Sequence, residues 1–360
     1  MKAGWQTIPM GQICSIKSGK SDTKDAVEDG AYAFFDRSRT IKKSSRYLFD
    51  CEAMIIPGEG TEFLPRHFTG KFDLHQRAYA LFDFSNQIDV KFLYYFLHYK
   101  SDYFPQVAVG ATVKSLRLRH FEQLPVSFTS IPEQQRIVGI LDEAFDGITT
   151  AKANAEQNLQ NARALFESHL QSVFAQRGEG WVDKPLTAVC EAIFAGGDVP
   201  KDNYSKTETD KYRIPIFTNG EKNKGLYGFT NTARVTAPSI TISARGTIGY
   251  SEIRRESYYP AIRLIVVIPK KGILDLSFLY YAIESIDIVH SGTSIPQLTV
   301  PMVSGFSIPV PPVEIQQMIV DQLDALREET QRLESLYQRK LAVLDELKKS
   351  LLHQAFSGAL

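Results

Sequence analysis

An internal repeat constrains this chain more than any other feature of its sequence. Trp5, Pro9 and Cys14 recur at identical spacing as Trp181, Pro185 and Cys190. The further matches, in order, are Gly60-Thr61 with Gly246-Thr247, Phe92-Leu-Tyr-Tyr95 with Phe278-Leu-Tyr-Tyr281, Gln134-Gln135 with Gln316-Gln317, Leu141-Asp142 with Leu323-Asp324, and Ser168, Leu170 and Phe174 with Ser350, Leu352 and Phe356. Ordered matches across the chain indicate a duplication, so we expect two similar halves whose loops differ in length.

Each half begins with a globular segment of mixed character. Short runs rich in Phe, Tyr, Ile and Val, broken by Gly and Pro, predict strands. They are Ala31–Phe35, Met54–Ile56, Ala78–Phe82 and Leu264–Ile268. The stretches Lys91–Tyr103 and Leu276–Ile288 predict short helices that pack beside these strands.

Each half ends with a long helix. In the second helix, the apolar positions from Leu323 to Leu351 alternate in steps of three and four, which is a heptad pattern. The first helix, from Ile137 to Val173, carries small residues where the second carries large ones, which favours packing of one helix on the other. The alternative is that each helix packs on a separate core. About 45 helical residues would span roughly 65 Å.

These patterns predict an α+β chain. Two mixed α/β globular domains are joined by two long helices that form an antiparallel coiled coil, with internal pseudo-two-fold symmetry. The predicted boundaries are 1–130 for the first domain, 131–178 for the central helix, 179–311 for the second domain and 312–360 for the C-terminal helix.

Composition narrows the class of protein. The longest apolar run is far shorter than a membrane span, and the beginning of the sequence lacks the apolar stretch of a secretory signal. Three cysteines without a CxxC pair form no disulfide framework, so we expect a cytoplasmic protein with no membrane partner. The formal net charge is zero, although residues 1–130 and 181–310 each carry a small excess of cations.

Motifs for catalysis are missing from the sequence. Ser18-Gly-Lys-Ser21 ends like a phosphate-binding loop, but Cys14 stands where that loop needs its first glycine. Val310-Pro-Pro-Val313 lacks the Asn or Asp that opens an amino-methyltransferase loop, and Glu346-Leu-Lys348 lies in the heptad helix. The histidines have no metal-binding spacing, so we expect no catalytic residue and no metal site.

The starts of the two helices carry a family resemblance. They are Ile131-Pro-Glu-Gln-Gln-Arg-Ile-Val138 and Pro312-Val-Glu-Ile-Gln-Gln-Met-Ile-Val320, with Ile315 interrupting the second copy. Together with Gly58–Thr61, Gly110–Thr112 and Gly292-Thr293, they resemble the specificity subunit of a type I restriction-modification system, and the resemblance covers the whole chain.

The resemblance implies a DNA-recognition subunit without catalysis of its own. Each globular domain would be a target recognition domain that reads one half of a bipartite site in double-stranded DNA. The helices would set the spacer and bind two modification subunits, which carry methyltransferase chemistry with S-adenosylmethionine. Restriction subunits, ATP-dependent translocases and nucleases, would use ATP and Mg. This chain itself would hold no cofactor.

DNA binding needs cations at phosphate spacing and planar donors for base edges. The candidates in the first domain are Lys20, Arg37, Arg39, Lys42, Lys43, Arg46, Arg66, Lys114, Arg117 and Arg119. Those in the second domain are Lys222, Lys224, Arg245, Arg254 and Arg255. Arg245 aligns with Glu59, so the same turn carries opposite charges in the two domains. For any single cation a solvated surface residue is the favoured alternative, whereas the Arg37–Arg46 cluster as a whole favours DNA contact.

Two further questions stay open at this point. The candidates for partner binding are Gln134, Gln135, Gln316 and Gln317, which either face the modification subunits or cap each helix against its own globular domain. The competing functions are an enzyme with a degenerate site and a coiled-coil interaction protein that binds no DNA. The empty motif search argues against the first, and unequal loops on a repeated domain argue against the second.

Overall fold

A computed structural model describes residues 4–286, 288 and 297–360. Gly292-Thr293, part of the family resemblance, lies outside the described residues. The chain divides into two compact units. Unit 1 comprises residues 1–157 and 338–360, and unit 2 comprises residues 158–337. Within the described part of the chain, every helix is too short or too polar to cross a membrane.

Unit 1 contains a mixed sheet flanked by short helices. The strands are β1 (Gln6–Pro9), β2 (Ser15–Ser18), β3 (Tyr32–Phe35), β4 (Lys42–Ser44), β5 (Phe49–Pro57), β6 (Arg66–Leu74), β7 (Ala78–Phe82) and β8 (Pro125–Phe128), and the short helices are α1 (Val90–Tyr99), α2 (Tyr103–Val107) and α3 (Leu118–Glu122). Six strands form one sheet in the order β2-β7-β5-β6-β3-β4, and β1 pairs with β8. Only β3 and β6 pair in parallel within that sheet; its other pairings are antiparallel.

A long helix, α4 (Ile131–Ala175), follows unit 1's strands, and the second globular segment comes next. Its elements are β9 (Val182–Pro185), α5 (Leu186–Val189), β10 (Cys190–Ala195), β11 (Tyr204–Ser205), β12 (Ile214–Phe217), β13 (Leu226–Thr230), β14 (Ser239–Ile242), β15 (Ser251–Arg254), β16 (Tyr259–Pro260), β17 (Ile265–Pro269), α6 (Leu276–Glu284), α7 (Val300–Ser304) and β18 (Ser307–Val310). Their sheets have the orders β10-β17-β14-β15, β11-β13-β12-β16 and β18-β9. The last helix is α8 (Val313–Ser357).

The helices pair antiparallel within each unit, as predicted. The same two kinds of contact join them in both units: a cation of α4 with an acid of α8, and a cation of α8 over a phenylalanine of α4. They are Lys152–Asp345 at 2.6 Å and Lys348–Phe145 at 4.9 Å in unit 1, and Arg163–Glu334 at 3.0 Å and Arg327–Phe166 at 4.4 Å in unit 2. Residue numbers rise along α4 as those of their partners fall along α8, which confirms the predicted orientation.

The helices also complete the cores of the globular domains. In unit 1, Phe356 near the end of α8 lies 5.1 Å from Phe92, ring centre to ring centre. In unit 2, Phe174 near the end of α4 lies 5.4 Å from Phe278 in the same way. Each domain therefore takes the end of the helix that follows the other domain in sequence. The two alternatives for helix packing are both realised, because the helices pack on each other and on the domain cores.

Candidate nucleic-acid interface

The first predicted basic cluster is held in place by ion pairs. Lys42 Nζ lies 2.6 Å from Asp36 Oδ2, and Arg46 Nη2 lies 3.0 Å from Asp25 Oδ2. Burial alone would raise the pKa of Asp36, but hydrogen bonds from Lys42 and the Ser38 backbone hold that pKa below its ordinary value. Because both cations neutralise acids of their own domain, they shape the loop as well as adding charge to it.

Other cations of this region differ in how much they face solvent. Arg66 donates to the backbone oxygens of Ser38 at 2.8 Å and Asp36 at 2.6 Å, so this half-buried side chain fixes the backbone of the loop that follows β3. Arg39 pairs with Glu62 and its side chain is 85% exposed. The remaining predicted cations here are exposed; they are Lys20, Arg37 and Lys43.

Two adjoining clefts of unit 1 bring separate arginines together. Both clefts are lined by Glu59, Gln76 and Arg77. Arg37 lines one cleft and Arg117 lines the other. Arg77 forms an ion pair with Glu59. The two clefts therefore bring Arg37, Arg77 and Arg117, which come from three separate loops, to adjoining parts of one surface. Arginine side chains grouped in this way are suited to binding phosphates and base edges.

The second predicted cluster lies beside these clefts because backbone hydrogen bonds join the loops. The Gly60 amide donates to the Lys114 oxygen at 3.0 Å, and the Leu116 amide donates to the Gly58 oxygen at 2.8 Å. The cations of this cluster are exposed; they are Lys114, Arg117 and Arg119. The structure thus brings part of both clusters, which are far apart in sequence, to one surface of unit 1.

The predicted cations of unit 2 are exposed except for one. Lys224 Nζ lies 3.4 Å from Glu252 Oε2. Arg245 donates twice to Gln297 Oε1, at 3.0 and 2.6 Å. Arg255 donates to Ser277 Oγ at 3.2 Å, and Lys222 is also exposed.

Arg254 is the exception, because its side chain is buried within unit 2. It is only 8% exposed, and its guanidinium lies 3.6 Å from the centre of the Phe217 ring. Its nitrogens donate to Thr241 Oγ1 at 3.1 Å and to the Lys224 backbone oxygen at 2.6 Å. Burial lowers the pKa of Arg254. A guanidinium held in this way positions the Lys224 loop.

Sequence reasoning missed the arginines of one turn. Arg77 precedes β7 and Arg263 precedes β17, at the same spacing that relates Gly60 to Gly246. Both side chains are exposed. The repeat itself contained the signal, because extending the alignment from Gly60 pairs these two residues.

At the start of each long helix, the first glutamine of the pair is buried and the second is exposed. Gln134 and Gln316 are fully buried. The Asp89 amide donates to Gln134 Oε1 at 2.8 Å, and the Asp275 amide donates to Gln316 Oε1 at 2.8 Å. These inner glutamines therefore fasten each long helix to its own domain, which favours the capping alternative for them. The outer glutamines, Gln135 and Gln317, are exposed.

The segments that resemble catalytic motifs are packed against neighbouring strands or lie in ion pairs on a helix. A Cβ atom on Gly19 would stand 1.9 Å from the Leu74 backbone oxygen, so Ser18–Ser21 is packed against the end of β6. Glu346 forms an exposed ion pair with Lys349 on α8. Among residues 4–286, 288 and 297–360, no three His, Cys, Asp or Glu side chains are grouped so that they could hold a metal ion.

The described residues thus form a duplicated α+β fold with cationic loops on each domain. Comparison with known proteins gives the family. The sequence matches the type I restriction modification DNA specificity domain over residues 2–160 and 178–341. The chain therefore belongs to this family, and the predicted resemblance to type I specificity subunits is confirmed.

Individual relatives agree with the family assignment. A putative type I specificity subunit of Mycoplasma pneumoniae is 27% identical over 327 residues, which cover 89% of each chain. The type I restriction enzyme EcoDI specificity subunit of Escherichia coli is 24% identical over 402 residues, covering 99% of this chain and 88% of that one. A solved chain from work on complex assembly and conformational transition of the type I R-M system is 16% identical, with a TM-score of 0.79 over 100% of this chain and 99% of that one. This last likeness supports the fold.

Proposed function

We propose that this chain is the non-catalytic, sequence-specific DNA-binding subunit of a type I restriction-modification complex. Each globular domain recognises one half of a bipartite target in double-stranded DNA. The observation that carries this proposal is the presence of two equivalent domains with different charged side chains on equivalent loops. Glu59 and Arg245 occupy one such position. A shared scaffold with different contact residues is what recognition of two different half-sites requires.

The long helices serve two roles in this proposal. They set the spacing between the half-sites, and they bind two modification subunits. The exposed Gln135 and Gln317, each next to a buried glutamine at a helix start, are the proposed contact residues for those subunits. The modification subunits hold S-adenosylmethionine and transfer the methyl group. Restriction subunits with ATP and Mg supply translocation and cleavage, so this chain holds no cofactor.

Selection from random-sequence duplex DNA tests the proposal. The full-length chain, alone and with its modification subunits, is incubated with a library and the bound fraction is sequenced. We expect two short conserved blocks separated by a spacer of fixed length. A bound pool without any enriched sequence would contradict the proposal, and would favour an interaction protein that does not recognise DNA sequence.

Calorimetry separates this proposal from the enzyme alternative. The isolated chain is titrated with S-adenosylmethionine, and we expect no binding heat because the modification subunits are proposed to hold that cofactor. Binding at micromolar concentration would mean that this chain carries methyltransferase machinery of its own.

A further inference from the structure

The turns that carry Arg77 and Arg263 are closed by equivalent backbone hydrogen bonds, although only the turn of unit 2 contains left-handed residues. In unit 1, the Ala78 amide closes the turn on the His75 oxygen at 2.9 Å, and in unit 2 the Leu264 amide closes it on the Ala261 oxygen at 3.1 Å. The residue before each arginine is anchored to a neighbouring segment. The Gln76 amide donates to the Ser21 oxygen at 2.8 Å, and the Ile262 amide donates to the Gly197 oxygen at 2.7 Å.

The backbone of the unit 2 turn is strained. Ile262 and Arg263 have φ values of 52° and 60°, in the left-handed region that a β-branched residue rarely adopts. Ile262 is also 44% exposed, so little burial of its side chain offsets this cost. Strain of this kind is concentrated at ligand-contacting sites, where the surrounding structure holds it.

Asn219 holds this strained turn next to the loop that carries Arg245. Its Nδ2 donates to the Ile262 oxygen at 2.5 Å, and its Oδ1 accepts from the Ala244 amide at 2.7 Å. The Asn219 side chain therefore joins, through two hydrogen bonds, the backbone of the Arg263 turn and that of the Arg245 loop. Two exposed guanidinium groups are thus presented from adjoining loops of the same domain.

The equivalent pair in unit 1 is an arginine with a carboxylate. Arg77 is paired with Glu59, and Glu59 also accepts from Ser115 Oγ at 3.3 Å. The Arg77 side chain is 61% exposed, whereas that of Glu59 is 14% exposed. The carboxylate is therefore fixed within the domain and orients the guanidinium that faces solvent. A preoriented guanidinium loses less freedom when it forms two parallel hydrogen bonds.

We propose that Arg77 and Arg263 are specificity-determining residues, each contacting a guanine edge in the half-site of its own domain. Arginine forms a bidentate contact with the O6 and N7 atoms of guanine in the major groove. Glu59 is the positioning residue of Arg77, whereas Arg245 adds a second cation beside Arg263. This inference rests on the proposed function, since it presupposes that each domain recognises a half-site.

Sequencing of selected DNA tests the proposal with the full-length chain carrying Arg77→Ala or Arg263→Ala. Each variant should lose its preference for guanine at one position of one half-site and keep the other half-site unchanged. Affinity for the original target should fall by roughly 10- to 100-fold, and affinity for a target with that guanine replaced should change far less. Arg213→Ala, which removes another exposed arginine of unit 2, is the matched control and should leave both half-sites unchanged.

The positioning role of Glu59 has its own readout. Glu59→Gln should weaken the guanine preference assigned to Arg77, and should have no further effect on that preference when Arg77→Ala is already present. Thermal unfolding of each variant shows whether the fold is intact.

Two results would overturn the inference. An equal loss of affinity for all sequences would assign Arg77 and Arg263 to phosphate contacts, and an unchanged affinity would place both outside the interface. In either case the parent chain would still select a bipartite site. Absence of selection by the parent chain would instead contradict the proposed function.

Discussion

At the scale of single residues, the buried glutamines should be worth far more to stability than their exposed neighbours. Gln134 Nε2 donates to the Gln87 and Thr129 oxygens at 2.8 and 2.7 Å, and its Oε1 accepts from Asp89. Gln134→Ala removes the partner of three part-buried backbone groups and should lower the free energy of unfolding by about 2–4 kcal/mol. Gln135→Ala is the control, with an expected change of under about 0.5 kcal/mol. Urea denaturation measures both, and equal effects would contradict the assignment.

We expect acid to lower the stability of unit 1 through protonation of His98. Burial, and then the charge of Lys348, lowers the pKa of His98 to about 4. In the unfolded chain His98 takes up a proton near pH 6.5, whereas in the folded chain it does so only near pH 4. The contribution of neutral, buried His98 to the free energy of unfolding is therefore fully present above pH 6.5 and is lost as the pH falls toward 4. Between pH 8 and pH 5, stability should fall by about 1–2 kcal/mol more in the parent than in His98→Phe. Denaturation curves at several pH values check this, with His169→Asn as the exposed control; identical pH dependence in parent and His98→Phe would refute it.

The sequence indicated which segments carry clustered cations, but not which of those cations are exposed and which are buried. Arg254 and Arg255 are adjacent in sequence, yet only Arg254, the last residue of β15, is buried, whereas Arg255 lies just beyond the strand and is exposed. The burial of Arg254 depends on Phe217, a residue that is distant in sequence. Arg77 and Arg263, by contrast, could have been found by extending the repeat alignment.

At the scale of secondary-structure elements, two equivalent helix contacts should differ in strength. Arg327 lies over Phe166 and pairs with Glu284, and its side chain is only 25% exposed. Lys348 lies over Phe145 but is exposed. Arg327→Ala leaves the half-buried Glu284 carboxylate with the Tyr280 hydroxyl but without its cation, and should destabilise the protein by about 2–4 kcal/mol. Lys348→Ala should cost less than about 1 kcal/mol. Thermal unfolding distinguishes them, and a larger effect of Lys348→Ala would contradict this view of the contact.

Long periodic elements were predictable and short ones were not. The heptad pattern located α4 and α8 because a repeated apolar stripe over many turns identifies a long helix, and the runs Ala78–Phe82 and Leu264–Ile268 correspond to strands β7 and β17. The two-residue strands β11 and β16 are too short to carry a period. The contact of each helix end with the core of the other domain follows from the predicted antiparallel pairing, and the equivalent residues Phe174 and Phe356 make it.

At the scale of the whole molecule, duplication would allow the proposed recognition and assembly roles to be separated. Each unit has its own hydrophobic core and its own basic loops, so substitutions in one set of loops leave the other chemically unchanged. Among the elements of the described residues, α4 and α8 are the ones that contribute residues to both units. A change in helix length should therefore alter the relation between the half-sites and leave their sequences unchanged.

Shortening both helices by one heptad tests that consequence. The deletions are residues 151–157 of α4 and 340–346 of α8, stretches that face each other because Lys152 pairs with Asp345. Seven residues preserve the heptad register, and at about 1.5 Å each they shorten the helices by roughly 10 Å. If the helices set the DNA spacer, selection from a library of variable spacers should favour a spacer about three base pairs shorter between unchanged half-sites. Removal of four residues from each helix is the control, since it disturbs the register and should weaken folding. A folded heptad variant that keeps the original spacer would show that the helices do not measure the distance between half-sites.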